Sequence, residues 1–181
     1  MHRPHTPPAP NRLLAFYRGH GGDDRGRRLH DILAQDDRWL ESTHDYIQWL
    51  FPLREPSRVT PDAPLIDADV VQAFAGDEAL RGRLQASLDR MLAFYGLHRE
   101  NGRIASSPQW PARRGNWFTQ PTHNSLRITR ILKSCVALGL RDEATLLLDA
   151  LERLCAGEAD CGVGETTLGY WRAALADGPR A

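Results

Sequence analysis

The sequence predicts an all-α fold, and three observations carry that prediction. Leu80, Leu84, Leu88, Met91 and Tyr95 recur at intervals of four, four, three and four residues, the spacing that aligns side chains on one helix face. Ala144, Leu147, Leu148, Leu151 and Leu154 form a second such stripe. No segment sustains a period-two alternation, so no sheet is expected. The expected architecture is one compact domain of about seven helices. It spans residues 11–176, with a disordered Pro-rich arm at 1–10, a long Pro-rich loop and a tail at 177–181.

Caps and breakers set the elements in order. Residues 1–10 hold four prolines, which keep the arm from packing. Asn11 caps a short helix through Phe16 and Tyr17, ended by Gly19, Gly21 and Gly22. Leu29, Ile32 and Leu33 mark a second helix. Trp39 and Leu40 lead into a helix carrying His44–Leu53, HDYIQWLFPL, which Pro52 ends at about Phe51. Four prolines from Pro52 to Pro64 then hold the chain extended. Asp67 caps a helix bearing Val70, Val71 and Phe74, and Asp77 caps the next, which Gly96 closes. Residues from Asn101 to Gln120 are read as irregular, with Trp110, Trp117 and Phe118 packed inward. Thr122 caps a helix presenting Ile128, Ile131, Leu132 and Cys135, ended by Gly139. A final helix runs from near Glu165 through Trp171 to Leu175.

Composition excludes more than it assigns. The 181 residues are 41% hydrophobic and 25% charged with net charge +0, so no global field draws the chain to nucleic acid or an anionic membrane. Arg113 and Arg114 between Trp110 and Trp117 imitate a stacking platform, but the balanced charge argues for inward packing, and no nucleic acid is expected. Lys133 is the only lysine; that arginine bias predicts a GC-rich, bacterial source. No apolar stretch follows the first residues and no apolar run is long enough to span a bilayer. A cytoplasmic location is expected, with at most peripheral membrane association. Cys155 and Cys161, separated by five residues, fit neither a zinc knuckle nor a redox pair. They are expected as reduced thiols, and Cys135 as a core residue. No metal or cofactor is expected.

Two polar stripes are the candidate site. Read on one continuous helix, Glu41, His44 and Gln48 share a face, with Asp45, Tyr46 and Trp49 beside them. On the helix after Thr122, His123, Arg127, Arg130 and Ser134 recur at four, three and four residues, with Asn124 adjacent. If the two stripes meet, guanidiniums, carboxylates and imidazoles are complementary. One reading is a salt-bridged seam that fixes helix register. The other is a pocket for an anion or a peptide carboxylate, using Arg127 and Arg130 and walled by Tyr46 and Trp49. Arg130→Ala separates them in a thermal melt: a seam loses stability, and a ligand site does not. No nucleophile motif, zinc motif or phosphate-binding glycine loop is present. An enzyme is therefore not the expectation. The alternative is an enzyme acting on a small anionic substrate, with His44 or His123 as acid or base.

The stretch HDYIQWLFPLREPS, followed by HN at His123–Asn124 and LRITRILKS, resembles the conserved region of the opioid growth factor receptor family. Further agreement lies in APLID at Ala63–Asp67, MLAFYG at Met91–Gly96 and TLGYWRAAL near the end. The resemblance covers about residues 11–176. It implies an α-helical domain whose animal members act as receptors for a Met-enkephalin-type peptide at nuclear membranes. It brings no catalytic residues. A peptide or protein is the expected partner.

Overall fold

Helix boundaries fall where the caps put them. The computed structural model describes residues 11–58 and 60–176, so the expected arm at 1–10 and tail at 177–181 lie outside the described residues. The first half holds α1 (Arg12–Tyr17), α2 (Leu29–Leu33), α3 (Asp37–Ser42), α4 (Ile47–Leu50), α5 (Ala68–Gly76) and α6 (Glu78–Phe94). A hairpin of β1 (Leu97–Glu100) and β2 (Arg103–Ser106) follows, then α7 (Trp110–Arg113) and a 3-10 turn at Arg114–Asn116. The chain continues through α8 (His123–Ala137), α9 (Arg141–Gly157) and α10 (Glu165–Ala176). The Asn11 side chain accepts from the Leu13 and Leu14 amides, Asp67 caps α5, Asp77 caps α6 and Thr122 caps α8. The all-α class holds, with ten helices among the described residues where about seven were expected. The extra ones are single turns that no periodicity can reveal.

The hairpin is a correction to the expectation of no strands. Leu97 pairs with Ser106 and Glu100 with Arg103, antiparallel. The turn between them is Asn101–Gly102, both with positive φ (49° and 73°), the conformation that an Asn-Gly pair favours in two-residue hairpins. That dipeptide was the available signal.

A second correction concerns the helix expected through His44–Phe51. It breaks after Ser42: Thr43 is extended (φ −103°, ψ 133°) and α4 is one turn. Glu41, His44 and Gln48 therefore do not share a continuous helix face.

α8 lies at the centre. It packs against α9 on one side and α10 on another, burying Ile128, Ile131, Leu132 and Cys135. Trp49, Trp117 and Trp171 are fully buried in the same core as Phe16, Tyr17 and Phe74. Trp110 and Phe118 join Trp117 in an aromatic cluster, with ring centroids 5.1–5.8 Å apart. Arg114 lies over Phe118, 4.7 Å from the ring centroid. The tryptophans of this stretch do pack inward.

Cys155 and Cys161 form a disulfide, with Cα atoms 5.1 Å apart, correcting the expectation of reduced thiols. The chain turns back at the end of α9, a course that residue spacing alone does not disclose. Cys135 is free and buried as expected. The returned loop presses Gly162 onto the preceding segment: its amide donates to the Phe118 carbonyl at 2.9 Å. A Cβ there would overlap the Thr119 carbonyl. Gly162→Ala should cost about 1–3 kcal/mol through forced backbone movement, measured by denaturant unfolding. An unchanged midpoint would contradict this close approach.

Candidate functional site

The break between α3 and α4 builds the site. A continuing helix would have consumed the carbonyls of Leu40 and Thr43 in its own ladder. With the helix ended, Arg127 of α8 takes them. Its Nη1 donates to the Leu40 carbonyl at 2.9 Å and to Asn124 Oδ1 at 3.2 Å. Its Nη2 donates to the Thr43 carbonyl at 2.7 Å and to His44 Nδ1 at 3.1 Å. Arginine can only donate, so His44 Nδ1 accepts and the neutral ring carries its proton on Nε2. His44 thus presents an N–H rather than a basic lone pair. Arg127 is 4% exposed and lies 5.4 Å from the centroid of Tyr46, a cation–π contact.

Around this clamp the neighbours are polar and paired. His123 packs edge-on to His44, ring centroids 5.2 Å apart. Glu41 approaches His123 Nε2 at 3.3 Å and accepts from Asn124 Nδ2 at 3.0 Å. Asn124 Nδ2 also reaches the Asn116 carbonyl at 3.0 Å. Burial, then the charge of Arg127, pulls the His123 imidazole below its ordinary value despite Glu41. Arg130, one turn on, donates to the Phe51 carbonyl at 3.1 Å. Burial lowers its guanidinium from its ordinary value, with the charge of Glu55 opposing; an arginine still remains charged near neutrality. Among the described residues no carboxylate lies within ion-pair distance of Arg127 or Arg130. The stripes do meet, but the guanidiniums bind backbone carbonyls. The salt-bridged seam is corrected to a helix-end clamp.

Beside the clamp is a groove of about 560 Å³, lined by His44, Gln48, Leu53, His123, Leu126 and Arg130 among others. Gln48 is 4% exposed, and its Oε1 is buried with no hydrogen-bond partner among the described residues. An unsatisfied buried acceptor costs about 1–3 kcal/mol. Leu126, on α8, is 74% exposed at the groove.

The structure gathers five of the sequence-derived residues at the groove: His44, Gln48, His123, Arg127 and Arg130. Four others serve elsewhere. Asp45 pairs with Arg25 and Arg27; burial favours its acid form, but these cations outweigh it and hold the carboxyl below its usual range. The Tyr46 hydroxyl donates to the Leu40 carbonyl at 3.1 Å, and burial raises it to about 12. Trp49 packs on Phe16 and donates to Asp24 at 3.2 Å, outside the groove. Asn124 braces Glu41 and Asn116. Ile47, Leu53, Leu126 and Lys133 line the groove without having been singled out. The available signal was Leu126 itself, an apolar residue set among His123, Arg127 and Arg130. Among the described residues no group of three His, Cys, Asp or Glu side chains is arranged to hold a metal ion. Nor is any helix among them long and apolar enough to cross a membrane.

Comparison with known proteins gives a consistent picture. The opioid growth factor receptor conserved region matches residues 23–178. The rat opioid growth factor receptor is 37% identical over 166 residues, covering 87% of this chain and 28% of the rat protein. The human receptor is 37% identical over 170 residues, covering 90% and 25% respectively. Mouse opioid growth factor receptor-like protein 1 is 38% identical over 102 residues, covering 55% and 22%. The chain therefore spans about a quarter of the length of the curated relatives it matches. No solved structure matches significantly. The expectation of a bacterial cytoplasmic protein is overturned, because these relatives are animal proteins. Arginine usage reports codon composition and does not fix a source.

Proposed function

The chain belongs to the opioid growth factor receptor family, and from that premise we propose that its domain is a binding module that captures a peptide in the groove beside α8. The observation that carries this is Gln48 Oε1, a buried acceptor without a donor among the described residues, in the lining of an open groove. A peptide backbone N–H supplies the missing donor. Ile47, Leu53 and Leu126 offer an apolar wall, and Arg130 offers a cation for a carboxylate. The size, about 560 Å³, lies within the range of small-ligand pockets, roughly 300–1,000 Å³.

The relatives' name makes an opioid-type peptide the first ligand to test. Met-enkephalin, labelled at its amino end to leave the carboxylate free, would be titrated and followed by fluorescence anisotropy. Saturable binding is expected, weakened about tenfold or more by Arg130→Ala, as for a lost charged hydrogen bond. The melting temperature of that variant should move only a few degrees, because among the described residues Arg130 makes one hydrogen bond to the fold. A flat titration overturns the opioid-type ligand. Binding indifferent to both Arg130→Ala and Leu126→Asp overturns the groove.

A further inference from the structure

We propose that the groove docks an acidic segment within a partner protein, a stretch in which two carboxylates follow an apolar residue along one face of an extended chain. This rests on the peptide-binding reading above and narrows the partner.

The exposed side of α8 carries the argument. His123, Leu126, Arg130 and Lys133 follow one another at three, four and three residues and all line the groove. At 1.5 Å per residue the stripe is about 15 Å long, enough for four or five residues of extended chain at roughly 3.3 Å each. Among the described residues no Asp or Glu lines the groove. Arg127 adds a further positive charge beneath it, held by two backbone carbonyls, Asn124 and His44. Glu41 lies at the His123 end and the charge of Glu55 acts on Arg130, while Arg130 and Lys133 are the cations that the lining itself presents to an acidic partner.

Spacing favours two carboxylates over one chain terminus. Residues three apart on a helix hold their Cβ atoms about 5–6 Å apart. Alternate residues of an extended peptide, on one face, lie about 6.6–6.8 Å apart. Two acidic side chains in that relation meet Arg130 and Lys133 separately, where a single terminal carboxylate meets one of them well. The preceding apolar side chain on the same face then falls on Leu126, between Ile47 and Leu53. Gln48 Oε1 takes a backbone N–H of the segment.

The test uses a heptapeptide blocked at both ends, with leucine second and glutamates fourth and sixth, titrated against the full chain by fluorescence anisotropy. It should bind, and binding should weaken as salt rises. Replacing both glutamates by glutamine, or Arg130→Ala, should weaken it at least tenfold. Arg130→Glu should switch preference to the matching lysine peptide. Circular dichroism melts of each variant establish that it folds, and Arg130→Lys should retain most of the affinity. Equal binding of the glutamine peptide overturns the proposal, and so does acidic-peptide binding that survives both Arg130→Glu and Lys133→Glu. No binding at all overturns it too. If a free-acid apolar peptide binds and the blocked acidic one does not, the groove captures chain ends; the acidic-segment proposal fails while peptide capture stands.

Discussion

Arg127→Ala should lower the stability of the domain by about 3–5 kcal/mol, the sum of a stranded buried carbonyl at about 1–3 kcal/mol and a desolvated cation–π contact at about 2 kcal/mol. Among the described residues the guanidinium is the one donor to the Thr43 carbonyl, and it shares the Leu40 carbonyl with Tyr46. Removing it strands Thr43, withdraws the partner of His44 Nδ1 and takes the cation from the Tyr46 ring. The free helix end then has no reason to stay against α8. For a domain of this size the loss corresponds to roughly 6–20 °C in melting temperature. Arg127→Lys should recover only part of it, because one ammonium cannot reach four acceptors arranged around a planar fork. Urea unfolding of the three proteins measures the effect. A loss below about 1 kcal/mol, the scale of a surface ion pair, would mean that the clamp does not hold the α3–α4 break in place.

Trp171→Ala should be comparably severe, at about 3–5 kcal/mol for a fully buried tryptophan. Trp171 joins α10 to α8: its indole Nε1 donates to the Ser125 carbonyl at 3.1 Å. Its ring lies 6.1 Å from that of Trp117, tying α10 to the aromatic cluster as well. Ser125 precedes Leu126, so this contact also steadies the groove-lining end of α8. Trp171→Phe keeps most of the volume and loses the hydrogen bond, so it should cost distinctly less. Thermal and denaturant melts separate the two variants. Equal losses would show that the bond, rather than the packing, carries the effect.

Much of the fold was legible because its long helices obey local rules. The stripe from Leu80 to Tyr95 became α6, and Asn11, Asp67, Asp77 and Thr122 each capped the helix assigned to them. The positive φ at Gly96 and Gly139 matches their reading as terminators. The break at Thr43 was not legible. Local pattern favours a continuous helix there, and the competing term is a guanidinium 84 residues away that takes its carbonyl. The disulfide was hidden for the same kind of reason, since it depends on the path of the chain after α9.

The candidate site was half legible. The expectation that the neighbourhood of His44 faces Arg127 holds, because the polar side of α8 needs partners of its own. Asp45 left that group because Arg25 and Arg27, from the loop before α2, reach it first. Trp49 left it because the short α4 turns that ring toward Phe16. Leu53 and Ile47 entered it because Arg130 holds the Phe51 carbonyl, at the end of α4, against α8, a tertiary placement with no local signature. The unpaired acceptor of Gln48 follows from that placement as well.

Titration of the isotopically labelled domain with Met-enkephalin, followed by nuclear magnetic resonance, tests peptide capture most directly. Progressive shifts concentrated on Ile47, Gln48 and its side-chain amide, Leu53, Leu126 and Arg130 are the predicted result. Shifts confined to residues remote from that groove, such as the Asn101–Gly102 turn, would contradict it.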